Sequence, residues 1–329
     1  MNSYLVTGGC GFIGVNLISR LALDGHKVRI LDNLSVGKRE HADRLNADLV
    51  FGDVRDLSVV REAIAGADAV VHLAAHTSVI ESVSNPEFDF EVNALGTLNL
   101  LRASKECGVR RFVFASTGGA ILGEQSEPVH EGMVPRPISP YGASKLAGEG
   151  LCSAFFGSAG LDTVALRFSN VYGPHSAHKK SAVAHFIMKI LQGETICIFG
   201  DGEQTRDFLY VDDVVNAICR CLSEDAEGIA GEAFQIATGC ETTINRVVGA
   251  IGALASGEGY VVDVIHKPER AGEVRRNCAR IDKARNLLGY RPAHDLDTGL
   301  ANTWRWFLDE WRQTQAARPA TALAADVET

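Results

Sequence analysis

None of the eight cysteines forms a Cys-x-x-Cys pair, and most sit inside apolar stretches. Neither a zinc ribbon nor a disulfide framework is therefore written into the chain, no metal site is expected, and free thiols in a reducing compartment are the expectation. No apolar run approaches the ~20 residues needed to span a bilayer. No basic segment followed by an apolar one precedes the first strand-like run, Tyr4-Leu5-Val6, so no membrane partner is expected and the cytoplasm is the expected location. Positive charge is also short. With 32 Lys and Arg against 41 Asp and Glu, the net charge is -9, which argues against holding nucleic acid by counterion release. Individual arginines thereby become informative, because an acidic protein that binds an anion must do so with local positive groups. The chain contains no internal repeat.

What is present is ordinary for a globular protein of more than one small domain: 46% apolar and 22% charged residues over 329 positions. Short β-branched runs alternate with amphipathic stretches. Strands are expected at Tyr4–Thr7, Val28–Leu31, Leu49–Phe51, Ala69–Leu73, Phe112–Ala115 and Thr163–Phe168. Helices are expected through Leu17 and Leu21, over Val59–Ala65, over Phe90–Cys107 and from Pro140. Strict alternation predicts an α/β fold, a Rossmann-type doubly wound parallel sheet, over residues 1–170, with 205–235 returning to it. Past Val171 the pattern loosens into a smaller α/β C-terminal domain, residues 171–204 and 236–312. It holds helices at Ser181–Leu191, Ile244–Leu254 and Leu296–Trp311, the last carrying Trp304, Trp306 and Trp311. Residues 313–329 lack periodicity and read as a disordered tail.

Directly after the first strand comes Thr7-Gly8-Gly9-Cys10-Gly11-Phe12-Ile13-Gly14. Glycines at Gly8, Gly11 and Gly14 permit a tight turn and a close backbone approach to a pyrophosphate. The following helix, starting near Phe12 and Ile13, supplies N–H groups and partial positive charge. The second strand ends in Asp32-Asn33, about 20 residues further on, where an acid can bond a ribose 2′-hydroxyl and repel a 2′-phosphate. NAD is the cofactor this favours over NADP. Asp53-Val54, ending the third strand, is placed to meet adenine or to serve as a turn. Leu73-Ala74-Ala75, ending the fourth, offers small residues against which a cofactor can lie.

Tyr141 and Lys145 stand four apart at a helix start, hence on one face. A free phenol, with a pKa of ~10, is a poor base near neutrality. A neighbouring ammonium and a positive nicotinamide ring would both favour the phenolate and lower that value.

The glycine fingerprint, the acid, the Leu73-Ala74-Ala75 segment, Asn93 in Val92-Asn93-Ala94-Leu95-Gly96-Thr97, and Tyr141-Gly142-Ala143-Ser144-Lys145 together resemble the extended short-chain dehydrogenase/reductases, the NAD-dependent epimerase/dehydratase family, from Tyr4 to Trp311. The resemblance implies that hydride leaves a sugar C4 for the cofactor while Tyr141 takes the hydroxyl proton. It implies further that Asn93 belongs to the cofactor site and that a hydroxyl after the fifth strand bonds the reacting group. Thr117 is the first candidate for that hydroxyl and Ser116 the second. Dehydratases of the family carry Asp-Glu after this hydroxyl, for a two-group acid/base elimination. Gly118-Gly119 stands there instead, which points to a 4-epimerase that returns hydride to the other face; a nucleotide-sugar dehydratase is the alternative. The family's Tyr in the following segment is Leu122 here.

The same resemblance makes the smaller domain the nucleotide-sugar-binding one. It assigns the substrate to Thr77, Ser78, Asn170 (in Leu166-Arg167-Phe168-Ser169-Asn170-Val171-Tyr172-Gly173-Pro174), Phe199, Arg206 (in Gly200 to Phe208), Arg270 and Glu273. Arg206 and Arg270 would bracket a diphosphate. The implied partner is a UDP-sugar, with UDP-glucose, UDP-N-acetylglucosamine and UDP-glucuronic acid all open. His175, His178, Lys179 and Lys180 form a basic cluster that is either a solvated loop or a contact for a uronate carboxylate. A homodimer pairing the helices at Phe90–Cys107 and Tyr141–Phe156 is the implied assembly.

Overall fold

A computed structural model describes residues 1–179, 181–269 and 275–316. In chain order the first half runs β1 (Ser3–Thr7), α1 (Phe12–Leu23), β2 (Lys27–Asp32), α2 (Arg39–Arg44), β3 (Asp48–Phe51), α3 (Leu57–Ile64), β4 (Ala69–His72), α4 (Val79–Ser84), α5 (Pro86–Phe90), a π turn (Glu91–Leu95), α6 (Gly96–Glu106), β5 (Arg111–Thr117), α7 (Gly118–Leu122), α8 (Pro140–Ala159) and β6 (Asp162–Phe168). Then follow β7 (Asn170–Tyr172), α9 (Ala182–Leu191), β8 (Ile196–Phe199), β9 (Thr205–Arg206), β10 (Phe208–Tyr210), α10 (Val211–Leu222), β11 (Ala233–Ile236), β12 (Thr242–Thr243), α11 (Ile244–Gly257), β13 (Val264–Lys267), α12 (Asp282–Leu287) and α13 (Leu296–Ala316).

The main sheet has seven strands in the order β11-β6-β5-β4-β1-β2-β3, every pair parallel. Parallel sheets are covered on both faces, so their strands read as continuous apolar runs rather than alternating ones. Leu5, Val6, Ile30, Val70, Val71, Phe112, Phe114 and Leu166 are accordingly all fully buried. Helices α1 and α10 pack together as one layer, and α3, α6 and α8 as the other. The strand order reverses between β1 and β4, the position at which open α/β sheets of this kind bind ligands.

The chain separates into two units. Met1–Val171, Thr205–Thr242 and Val274–Ala293 form the first, and the remaining described residues the second. Residues 274–293, expected in the smaller domain, thus join the sheet unit. Lys283 Nζ donates to Ala233 O at 2.8 Å and Tyr290 Oη to Ala237 O at 3.0 Å, and these single polar contacts leave no periodic trace in the sequence. In the second unit α9, α11 and α13 pack on one another, and β8 pairs in parallel with β13. Its α13 continues to Ala316, past the point where a tail was expected. The rest of that tail lies outside the described residues.

The single helix expected over Phe90–Cys107 is in fact α5, the π turn and α6 in succession. A π turn widens the helix by one residue and often marks a functional position. Here it surrounds Asn93. Helix α5 is started by Asn85, whose side chain accepts from Phe88 N, with Pro86 in its first turn.

Candidate active site

The glycine loop is built by close approach. Gly8 has φ +67, and a Cβ there would stand 2.7 Å from Ala74 N. Its N–H donates to Leu31 O at 2.8 Å, so the loop sits between the ends of β2 and β4. At Gly14 a Cβ would stand 2.5 Å from Gly8 O and 2.6 Å from Gly9 Cα. The first turn of α1 therefore lies directly on the loop, with Phe12 and Ile13 in it. Gly11 is the N-cap and has no side chain with which to cap. A bare helix start over a glycine cradle, open to anionic oxygens, fits a pyrophosphate.

Asp32 ends β2 and is buried. Its two oxygens accept from Cys10 N at 3.0 Å and Leu34 N at 2.8 Å. Burial raises its pKa, and those two N–H groups oppose the rise. Asn33 Nδ2 donates to Asp53 Oδ2 at 3.1 Å. Asp53 is held by Arg55 through Nε at 3.0 Å and Nη2 at 2.9 Å, and that pairing keeps its carboxyl below the usual range. Its carboxylate is thus already spoken for inside the protein, and what it presents next to buried Val54 is an ion pair.

Asn93 is turned inward. Its Oδ1 accepts from His76 N at 2.9 Å, and its Nδ2 donates to His76 O at 2.9 Å, Asp89 Oδ1 at 3.1 Å and Ser144 Oγ at 3.2 Å. Its carboxamide fastens the segment that follows Ala74 and Ala75.

Ser139 caps α8 by accepting from Gly142 N at 3.2 Å, and Pro140 occupies the first turn. Tyr141 follows, its N–H donating to Ser82 Oγ at 3.2 Å. One turn on, buried Lys145 donates from Nζ to Ala115 O at 2.9 Å and lies 4.9 Å from the Phe114 ring centre. Burial pushes Lys145 down to about 8, opposed chiefly by the charge of Asp89. The phenol of Tyr141 moves the other way: burial first, then the Asp89 charge, push it up. The lowering expected from Lys145 is not found in the protein alone.

Thr117 ends β5 and does not cap α7 with its side chain. Ser116 donates to Glu149 Oε1 at 2.6 Å, and Glu149 is gripped by Arg167 through Nε at 2.9 Å and Nη2 at 2.7 Å. The hydroxyl proton of Ser116 is thereby committed, which leaves Thr117 the better placed of the two. A Cβ on Gly142 would stand 2.1 Å from Ala120 O, so α7 rests against the first turn of α8. A Cβ on Gly118 would stand 2.5 Å from Gln235 Oε1, and one on Gly119 2.6 Å from Asn277 Nδ2. Two carboxamides thus fill the space into which longer side chains after Thr117 would project.

Residues 4–237 match the profile of the NAD dependent epimerase/dehydratase family. The chain belongs to that family. It is 38% identical to a UDP-glucose 4-epimerase from Thermotoga maritima solved with UDP-glucose, with a TM-score of 0.88 over 94% of this chain and 99% of that one. It is 37% identical to the Thermus thermophilus UDP-glucose 4-epimerase solved in complex with NAD, with a TM-score of 0.84 over 93% and 99% of the two chains. It is also 35% identical, over 337 residues and 97% of both chains, to a dTDP-glucose 4,6-dehydratase from Streptomyces antibioticus.

Within this epimerase/dehydratase chain the remaining candidates are placed as follows. In the first unit, Thr77 follows His76 and Ser78 caps α4, accepting from Glu81 N at 3.2 Å. Asn170 N donates to Asp207 O at 3.0 Å, and Arg206 Nη1 to Thr205 O at 2.8 Å. Phe199 ends β8 in the second unit, and Arg270 and Glu273 lie outside the described residues. The basic cluster divides: His175 lies 4.8 Å from the Trp306 ring, burial lowers Lys179, His178 is exposed, and Lys180 is outside the described residues. Leu122 is fully buried in α7. Among the described residues, no group of His, Cys, Asp and Glu could hold a metal and no helix is long and apolar enough to cross a membrane. All eight cysteines are free.

Several residues around the site went unread in the sequence. Asp89, His76, Gln235, Glu149 and His72 carry no motif of their own, and only the topology brings them together. The one available signal was spacing: Glu149 falls four residues after Lys145, on the same helix face.

Proposed function

We propose that this chain is an NAD-dependent UDP-sugar 4-epimerase. The observation that carries the reading is the packing of Gly118 against Gln235 and of Gly119 against Asn277. Elimination needs an acid and a base beside Thr117, and carboxamides are packed there instead. The nearby acids have other duties. Glu149 is ion-paired with Arg167, and Glu131 accepts from Gln235 N at 2.7 Å.

The glycine cradle, the bare start of α1 and buried Asp32 fit NAD. Bound, it supplies a hydride acceptor and a positive ring that favours the phenolate. Thr117 orients the C4 hydroxyl, and Tyr141 takes its proton at Oη. Lys145 holds positive charge beside the phenol. The cycle would close when Tyr141 gives the proton back to the sugar oxygen as hydride returns to the opposite face of C4. UDP as the nucleotide rests on the two similar epimerases, and Asn170 and Arg206 are the proposed contacts to the diphosphate within the first unit.

Incubating the NAD-loaded protein with UDP-glucose, UDP-N-acetylglucosamine or UDP-glucuronate should give a product of unchanged mass that separates as the C4 epimer. Loss of water would establish the dehydratase reading instead. Tyr141→Phe should abolish turnover and leave NAD bound, and an unchanged rate removes Tyr141 as the base.

Assembly as a homodimer and residence in the cytoplasm belong to the same proposal. Helix α8 exposes Ala143, Gly150, Ser153, Ala154 and Gly157, small residues that would let a second helix approach closely. Sedimentation reads the assembly directly.

A further inference from the structure

Asp89 has no part in the chemistry above, yet it is fully buried beside the catalytic pair. Its Oδ2 accepts from Ser144 Oγ at 2.6 Å, and Ser144 lies between Tyr141 and Lys145 in the first turns of α8. Its Oδ1 accepts from Asn93 Nδ2 at 3.1 Å and faces His76 Nδ1 at 3.0 Å. The other ring nitrogen of His76, Nε2, lies 3.2 Å from Glu81 Oε2. Each nitrogen of one imidazole therefore faces a carboxylate oxygen, and both contacts are hydrogen bonds only when both nitrogens carry a proton. A buried carboxylate left without a counter-charge is strongly disfavoured, and a doubly protonated His76, with Nδ1 3.0 Å from Asp89 Oδ1, would supply one.

We propose that Asp89 is a positioning residue for Tyr141 and Lys145, with His76 as its counter-charge. The proposal rests on the reading of Tyr141 and Lys145 given above. Asp89 ties α5 to α8 through Ser144, and its negative charge acts on both members of the pair, favouring the neutral phenol and the charged ammonium. Through Asn93 it is also fastened to the segment that follows Ala75. The other titratable groups around the cluster are Glu81 of α4, Glu91 of the π turn with its partner Arg55, His72 of β4, and Glu149 and Cys152 of α8.

Charge predicts paired and opposite effects. Removing the negative charge lets Tyr141 ionise more easily and Lys145 lose its proton more easily, so both events move to lower pH. Removing the cation leaves more of the Asp89 field uncompensated, and both events move to higher pH. The test compares NAD-loaded wild type, Asp89→Asn and His76→Gln. Phenolate formation is titrated by ultraviolet difference absorbance against Tyr141→Phe, and kcat with UDP-glucose is followed over the same pH range. In Asp89→Asn the phenolate titration and both limbs of the kcat profile should shift down by about one pH unit, the scale of a charge within a few ångströms. In His76→Gln they should shift up. A lowered kcat or melting temperature with unmoved titrations would mean that Asp89 is merely structural, and overturns the proposal. If Asp89→Asn does not fold, His76→Gln decides alone, and no upward shift overturns it. Should the wild type form no epimer, the functional reading fails, while the phenolate titration, which needs no substrate, still decides this one.

Discussion

Gly14 shows how little freedom the loop residues have. An added methyl would press on Gly8 O and Gly9 Cα at 2.5 and 2.6 Å. Both are backbone atoms of a turn already held by Gly8 N to Leu31 O and Gly11 N to Gly8 O. A flexible side chain could swing away, and these atoms cannot. Gly14→Ala should therefore destabilise the protein by about 1–3 kcal/mol, the range for overpacking, and weaken NAD binding. Thermal melts with and without NAD read both effects, and wild-type values for each would refute the packing argument. Gly8 and Gly14 were legible in the sequence because close backbone approach leaves no room there for a side chain. Gln235 was not, because a glutamine on an edge strand has no pattern, and its role appears only once Gly118 is seen against it.

At the scale of elements, His72 ties three of them together. Its Nδ1 lies 2.8 Å from Thr7 Oγ1 at the end of β1, and its Nε2 lies 3.0 Å from Thr97 Oγ1 in α6. The Thr97 hydroxyl donates to Asn93 O at 2.5 Å, so Nε2 must carry the imidazole proton and Nδ1 must accept from Thr7. Burial first, and the charge of Lys145 second, depress its pKa well below the ordinary value. The sign follows from proton counting. Below about pH 6.5 the unfolded chain binds a proton at His72 that the folded protein does not. Stability is therefore whole above that pH and is lost on acidification, by at most about 1.4 kcal/mol per pH unit from this group. Buried Asp32 and Asp207 have raised values and act oppositely at lower pH, so a variant is needed to isolate His72. Urea unfolding at pH 7.5 and 5.5 should show a smaller loss in His72→Gln than in wild type; equal losses would count against a buried neutral imidazole. The strands and longer helices were readable from their period, since burial on both faces or on one stripe leaves a periodic trace. The π turn was not. The contacts of Asn93 within it are made with His76 and Ser144, residues distant in sequence that no local pattern announces.

Over the whole molecule, five chain crossings separate the units, and the parallel sheet, though not its strand order, was expected from alternation alone. The return of residues 274–293 was not, since it depends on Lys283 meeting Glu232 and Ala233, and Tyr290 meeting Ala237, at the two ends of β11. Every described cofactor and proton-transfer candidate, from Gly8 to Lys145, lies in the first unit, whereas Phe199 lies in the second. The second unit depends on α13. Trp304 and Phe307 are buried, and Trp304 meets Tyr260 edge-on at 5.8 Å. Truncating such an aromatic costs about 3–5 kcal/mol through lost burial and the cavity left behind. That loss falls on a unit that contributes none of the groups proposed to hold NAD. Trp304→Ala should accordingly raise the KM for the UDP-sugar, or abolish turnover, while NAD still co-purifies at wild-type stoichiometry. The absorbance of the purified protein measures the cofactor and a coupled epimerase assay the substrate. Loss of NAD in step with loss of turnover would show that the two units stand or fall together, and would remove the division of labour proposed for them.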